Sequence, residues 1–181
     1  FPHDMEGDNY NTQGEKIGKK TYDGIKGSVY FGSFDFTFNK YNWIVRGQAD
    51  YGYLSDAKTL SIVKINRTSN NAPYDKSYVG KNAVAIGVEA GYDIFSQIQK
   101  LHADQQKFYL FGRYDYYNSY IPAKGEPTYE YTKKQAITFG FNYYPIKQIA
   151  IKADYSYRFL KSQYNNEPSL NIGIAYEAFF L

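Results

Sequence analysis

Apolar side chains recur at every second position through most of this chain, and that spacing is the strongest limit on what it can fold into. Gly32, Phe34, Phe36 and Phe38 alternate with Ser33, Asp35, Thr37 and Asn39. Trp43, Val45, Gly47, Ala49, Tyr51 and Tyr53 alternate with Ile44, Arg46, Gln48, Asp50 and Gly52. The same pattern runs through 84–94, less cleanly through 108–116, and again through 137–143 and 149–159. The last segment sets Leu170, Ile172, Ile174, Tyr176, Ala178 and Phe180 against Asn171, Gly173, Ala175, Glu177 and Phe179. A period of two is that of a β-strand with unlike faces, so the chain is expected to be all-β with seven long strands.

The strands span about 8–12 residues, longer than the usual 5–6 of a globular sheet and close to a tilted membrane strand. Aromatic residues make up 20% of the chain, with 22 Tyr and 13 Phe. On the apolar face they gather toward the strand ends. Phe38, Trp43, Tyr143 and Phe180 fall at one level, and Tyr51, Tyr53, Tyr116, Tyr157 and Phe159 at the other. The middles hold Val, Ile, Ala and Gly. An apolar band between two aromatic girdles is the lipid-facing pattern of a transmembrane barrel. A soluble sandwich would instead bury an aliphatic stripe between two sheets. The expected fold is therefore an antiparallel transmembrane β-barrel, with 1–181 as one barrel domain.

The connections alternate in length. Residues 39–42 and 145–148 read as tight turns, whereas 54–82, 118–135 and 160–168 are longer and polar. The segment 96–107 is long for the turn side, with room for one helical turn between Gln97 and Gln106. Single-chain bacterial barrels have even strand numbers. An odd count here leaves two options: a hidden strand within 1–30, or a chain that is the C-terminal part of a larger barrel. The weak alternation of 16–30 favours the second.

Composition removes several other classes. Mean hydropathy is -0.60, and no apolar run approaches the roughly 20 residues of a membrane helix. The net charge of +3 comes from 21 basic and 18 acidic residues that are interspersed, which argues against nucleic acid as a partner. Without cysteine there is neither disulfide nor thiol chemistry. The first residues lack a basic head followed by an apolar core, so either the mature chain starts there or further sequence precedes it.

Three stretches carry a resemblance: FGRYDYYNSY (Phe111–Tyr120), FGFNYYPIKQIAIKADYSYRFLKSQYNNEPSLNIGIAYEAFF (Phe139–Phe180) and the opening FPHDMEGDNYN. They resemble the C-terminal half of porins of Gram-negative gut anaerobes, relatives of the phosphate-selective porin O and P family. The resemblance implies a sixteen-stranded, usually homotrimeric channel in the outer membrane of a Gram-negative bacterium, of which this chain is less than half. It also implies outer-membrane lipid and the barrel-assembly machinery as partners. In such porins the machinery reads a terminal aromatic residue; here Phe180 is followed by Leu181.

In a barrel the polar face lines the lumen. The candidate pore-lining residues are Arg46, Asp50, Glu89, Asp93, Arg113, Asp115, Lys152, Asp154, Arg158 and Glu177, with Asp35 on the same face. Arg46, Arg113, Lys152 and Arg158 could form a cationic track for anions; alternatively acids and bases pair into a hydrated, rigid wall. The phosphate-selective relatives use lumens lined by arginine and lysine. Here acids outnumber bases on this face, so only the porin reading carries over. No cofactor, metal site or enzymatic constellation is expected. His3 beside Asp4, Glu6 and Asp8 lacks a diagnostic ligand spacing, and His102 reads as a turn residue. Asn66-Arg67-Thr68 matches the glycosylation tripeptide, a frequent chance motif. The expected function is passive diffusion of small hydrophilic solutes or ions. The alternative is a small closed outer-membrane barrel of structural or adhesive role with no open pore.

Overall fold

In the computed structural model, which describes residues 5–10, 15–22, 27–67, 78–160 and 166–177, all seven alternating stretches are strands. They are β3 (Val29–Lys40), β4 (Trp43–Leu54), β5 (Asn82–Asp93), β6 (Lys107–Ile121), β7 (Lys133–Ile146), β8 (Ile149–Leu160) and β9 (Glu167–Tyr176). They form one antiparallel sheet in the order β3-β4-β5-β6-β7-β8-β9, each strand beside its sequence neighbour. The sheet is not closed. Seven antiparallel strands leave the two edges, β3 and β9, running in the same sense.

Two elements depart from the sequence reading. A hairpin of β1 (Met5–Tyr10) and β2 (Lys16–Tyr22) makes a separate two-stranded sheet, in which Asp8 faces Lys19 and Met5 faces Tyr22. The segment 54–82, read as a polar loop, contains helix α1 (Ala57–Arg67). Between β5 and β6, where the sequence left room for one helical turn, lie a 3-10 turn (Ile94–Gln97) and helix α2 (Gln99–Ala103). Strand β6 runs to Ile121, so the following loop starts later than the composition suggested.

The turns follow from local chemistry. Tyr41 and Asn42 both have positive φ, 56° and 63°, the left-handed pair of a two-residue hairpin that matches strand twist. Asp93 ends β5 by accepting from the backbone N–H of Phe95 (3.1 Å) and of Phe108 (3.0 Å), tying both ends of the β5–β6 connection together. At the β7–β8 turn the register shifts between Tyr143 and Ile146, and Pro145, which has no N–H for a ladder, sits within that irregularity.

Contacts group the chain into two compact units. One comprises Phe1–Gly32, Asp50–Val84 and Asn118–Thr132. Its α1 is held by Ser61, fully buried, whose hydroxyl donates to Ala57 O (2.8 Å) and accepts from Val79 N–H (2.9 Å). The other unit comprises Ser33–Ala49, Ala85–Tyr117 and Lys133–Leu181. Here the two sheet faces separate cleanly. Antiparallel register pairs Phe139 with Tyr155, Phe141 with Ala153 and Ile151 with Ile174 on one face. It pairs Thr138 with Ser156, Asn142 with Lys152 and Asp154 with Asn171 on the other. Ring contacts extend the first face to the remaining strands. Phe36 lies across Gly47, Trp43 meets Tyr92 at a tilt with ring centres 4.9 Å apart, and Phe108 stacks on Phe141 at 5.2 Å.

That aromatic and aliphatic face is not a core. Phe139 is 64% exposed, and Ile172 and Ile174 are each 76% exposed. Among the described residues the buried apolar side chains are four alanines, Ala57, Ala123, Ala136 and Ala150, and one large ring, Tyr120.

Candidate functional site

The polar face of the second unit begins with the arginines, because each ends on a carboxylate from a matching position. Arg46 on β4 reaches Glu89 on β5 at 3.6 Å. Arg113 and Asp115 stand two residues apart on β6 and so project to the same side; the guanidinium makes two contacts, Nε to Oδ2 and an NH2 group to Oδ1, each 2.8 Å. Arg158 on β8 meets Glu167 on β9 at 2.6 Å, in register with it. Asp154 accepts from the Asn171 amide at 2.8 Å. Thr138 and Ser156 share a hydroxyl hydrogen bond of 3.0 Å.

Glycines make room for these groups. A Cβ at Gly87 would press on the Asp115 carboxylate at 2.8 Å. One at Gly140 would meet the Asp154 side chain at 2.7 Å and the Phe111 ring at 2.8 Å. Gly173, cross-strand from Lys152, has nothing within 4 Å of its open side. The face is thus an alternation of guanidinium, carboxylate, amide and hydroxyl with gaps set by glycine. Such a wall can replace part of an ion's or polar solute's hydration shell without holding it tightly.

The ten candidate lumen residues fall into three groups. Arg46, Glu89, Arg113, Asp115, Asp154 and Arg158 are joined in the pairs above, to which the structure adds Glu167 and Asn171 as partners. Lys152 is exposed on the same face, with Asn142 and Gly173 opposite it, and meets no carboxylate among the described residues. Asp93, Asp50 and Glu177 make up the third group. Asp93 is buried and its carboxylate is committed to two backbone N–H groups, so it caps the turn. Asp50 falls in the first unit. Glu177 is exposed just past β9, and its backbone N–H donates to Gln148 O at 2.8 Å.

Of the expected interface aromatics, Phe38, Trp43, Tyr51 and Phe159 are exposed and Tyr53, Tyr143 and Tyr157 half-buried. Tyr53 lies 6.1 Å from Tyr30, Tyr157 lies 5.0 Å edge-on to Phe159, and the Tyr143 hydroxyl donates to Gln106 at 2.9 Å. Phe180 lies outside the described residues, as do His3, Asp4 and Thr68. Among the described residues no group of three or more His, Asp or Glu could hold a metal ion.

Sequence reasoning missed a second polar cluster, in the first unit. Asn118 and Tyr120 are buried at the end of β6. Asn118 Oδ1 accepts from Tyr120 N–H (3.2 Å) and from the Thr132 hydroxyl (3.0 Å). The Tyr120 hydroxyl donates to Pro127 O at 3.1 Å. Burial, reinforced by the Glu126 carboxylate and neighbouring tyrosines, pushes this phenol up to about 12 and keeps it a donor. Glu126 gives one oxygen to Ala123 N–H (3.1 Å), while its other oxygen is buried without a partner among the described residues. The YNSYIPAKGEPTYEYT composition reads as loop, and nothing in it signals that Asn118 organises the turn.

Comparison with known proteins finds no family model, curated protein or solved structure that matches the chain significantly.

Proposed function

We propose that the chain is part of an outer-membrane porin, a water-filled β-barrel through which small hydrophilic solutes or ions diffuse passively. The observation that carries this reading is the inversion of the sheet. Its aromatic and aliphatic face is the open one, while its charged face is linked residue to residue. In water such a face would be driven to cover itself; in lipid it is already in its preferred solvent. The crossing stretch of each strand lies between the two aromatic levels, which on β6 ends at Tyr116. Closure needs an odd number of further antiparallel strands between β9 and β3, consistent with the sixteen-stranded barrel that the resemblance implies. The same resemblance supports a homotrimer, assembled by the barrel-assembly machinery, in a Gram-negative outer membrane.

One observation favours the rival, a small plugged barrel. The Phe111 ring lies on the polar face, packed over Gly140 with its Cβ against Gly91, and an aromatic side chain there takes up lumen volume. Single-channel conductance of the full-length gene product in a planar bilayer separates the two. Large, stable, weakly ion-selective steps are the expected result. A heat-modifiable protein of about this length that inserts but gives no steps would overturn the porin and leave the plugged barrel.

A further inference from the structure

The three connections β3–β4, β5–β6 and β7–β8 all emerge at one end of the antiparallel sheet and all belong to the second unit. They share no sequence motif, yet each presents the same chemistry. At the β3–β4 tip the Lys40 ammonium stands 4.8 Å over the Tyr41 ring, beside exposed Tyr41 and Trp43. At β5–β6, Lys100 is exposed two residues after exposed Ile98. At β7–β8, Lys147 is exposed directly after exposed Ile146. None of these lysines meets a carboxylate among the described residues. The acids at this end are Asp93, which is buried on backbone N–H groups, and exposed Asp104 and Glu177.

An ammonium beside an exposed apolar group, repeated at one level, suits the boundary where acyl chains give way to phosphates. We propose that this turn rim holds the headgroups of anionic phospholipids in the adjoining leaflet, with Lys40, Lys100 and Lys147 contacting phosphate while Tyr41, Trp43, Ile98 and Ile146 enter the acyl boundary. The occupant is a lipid because each lysine is coupled to an apolar neighbour. A purely acidic protein partner would use the lysines and leave Trp43 and Ile146 in water. The inference rests on the membrane reading and deepens it.

The test uses the full-length protein reconstituted in phosphatidylcholine vesicles containing a trace of spin-labelled phosphatidylglycerol or spin-labelled phosphatidylcholine. The motionally restricted fraction of each label gives their relative association. The glycerol lipid is expected to associate about fivefold more strongly, the factor that one surface lysine supplies near an anionic headgroup. That preference should fall toward unity in the K40Q/K100Q/K147Q variant and in high salt. Unchanged heat-modifiable mobility shows that the variant is folded. Insertion without headgroup preference, or a preference that survives in the folded variant, overturns the rim while the porin reading stands. A protein that stays in water without detergent overturns both.

Discussion

The two faces of the sheet are built from the same seven strands and differ in what satisfies them. On one, Phe139, Tyr155, Ile172 and Ile174 stand opposite apolar residues of the neighbouring strands and remain exposed. On the other, Arg46, Arg113, Arg158 and Asp154 each end on a named partner. These polar groups find partners within the protein, Lys152 excepted, and the apolar groups are left to find theirs in the surroundings. A soluble sheet distributes these roles the other way, because water satisfies charge and rejects oil. The exposure of the greasy face is thus the distinctive property of this sheet, more than its strand count.

The largest effect expected from breaking this contrast is a charge placed among the rings. Ala153→Arg, which faces Phe141 and Ile172 between the two aromatic levels of β8, should cost about 2–4 kcal/mol of membrane-inserted stability, whereas Lys152→Leu one position before it should cost much less. Urea unfolding of the reconstituted full-length protein, followed by heat-modifiable mobility, measures both. Equal costs would mean that the two faces meet the same solvent.

A smaller loss tests the close spacing of the polar face. Gly140→Ala sets a methyl against Asp154, Phe111 and the Ala153 carbonyl, and should destabilise by about 1–3 kcal/mol. Gly173→Ala meets nothing within 4 Å and should stay within about 0.5 kcal/mol. The same unfolding measurement ranks the pair. Asp93→Ala removes the acceptor of two backbone N–H groups and should cost about 1–2 kcal/mol, with faster amide exchange at Phe95 and Phe108 as its signature. Smallest of all, Arg46→Gln breaks a 3.6 Å pair that is more than half exposed on the arginine side. After solvent screening it should change stability by under about 1 kcal/mol. A larger loss would show that this wall is structural in a stronger sense than a hydrated one.

How far the sequence could be read follows from which interactions are local. The seven strands were legible because a period of two needs only the chain itself, and β3 shows it from Gly32 to Asn39 and β9 from Leu170 to Tyr176. The Arg113–Asp115 pair was equally legible, being two residues apart on one strand. The Arg46–Glu89 pair was not, since it depends on the register of β4 with β5. Helix α1 was hidden because AKTLSIVKINR has no acidic residue in its first turn and a weak apolar stripe; a buried serine, which reads as a loop residue, secures it instead. The β1–β2 hairpin was hidden for a related reason. Its strands, MEGDNY and KIGKKTY, are mostly polar on both faces, so alternation carries no signal. Asp93 alternates as a wall residue should, and only the fold of the β5–β6 connection shows that it is a cap.

In the proposed barrel consecutive residues of one strand meet opposite solvents, and a chain without cysteine allows this to be read directly. The decisive measurement places single cysteines at Ile151, Lys152, Ala153 and Asp154 in the full-length protein, in intact outer membranes, and follows their reaction with a membrane-impermeant thiol reagent. Fast labelling at 152 and 154 and protection at 151 and 153 are the expected result. Uniform labelling of all four, or the reverse alternation, would contradict it.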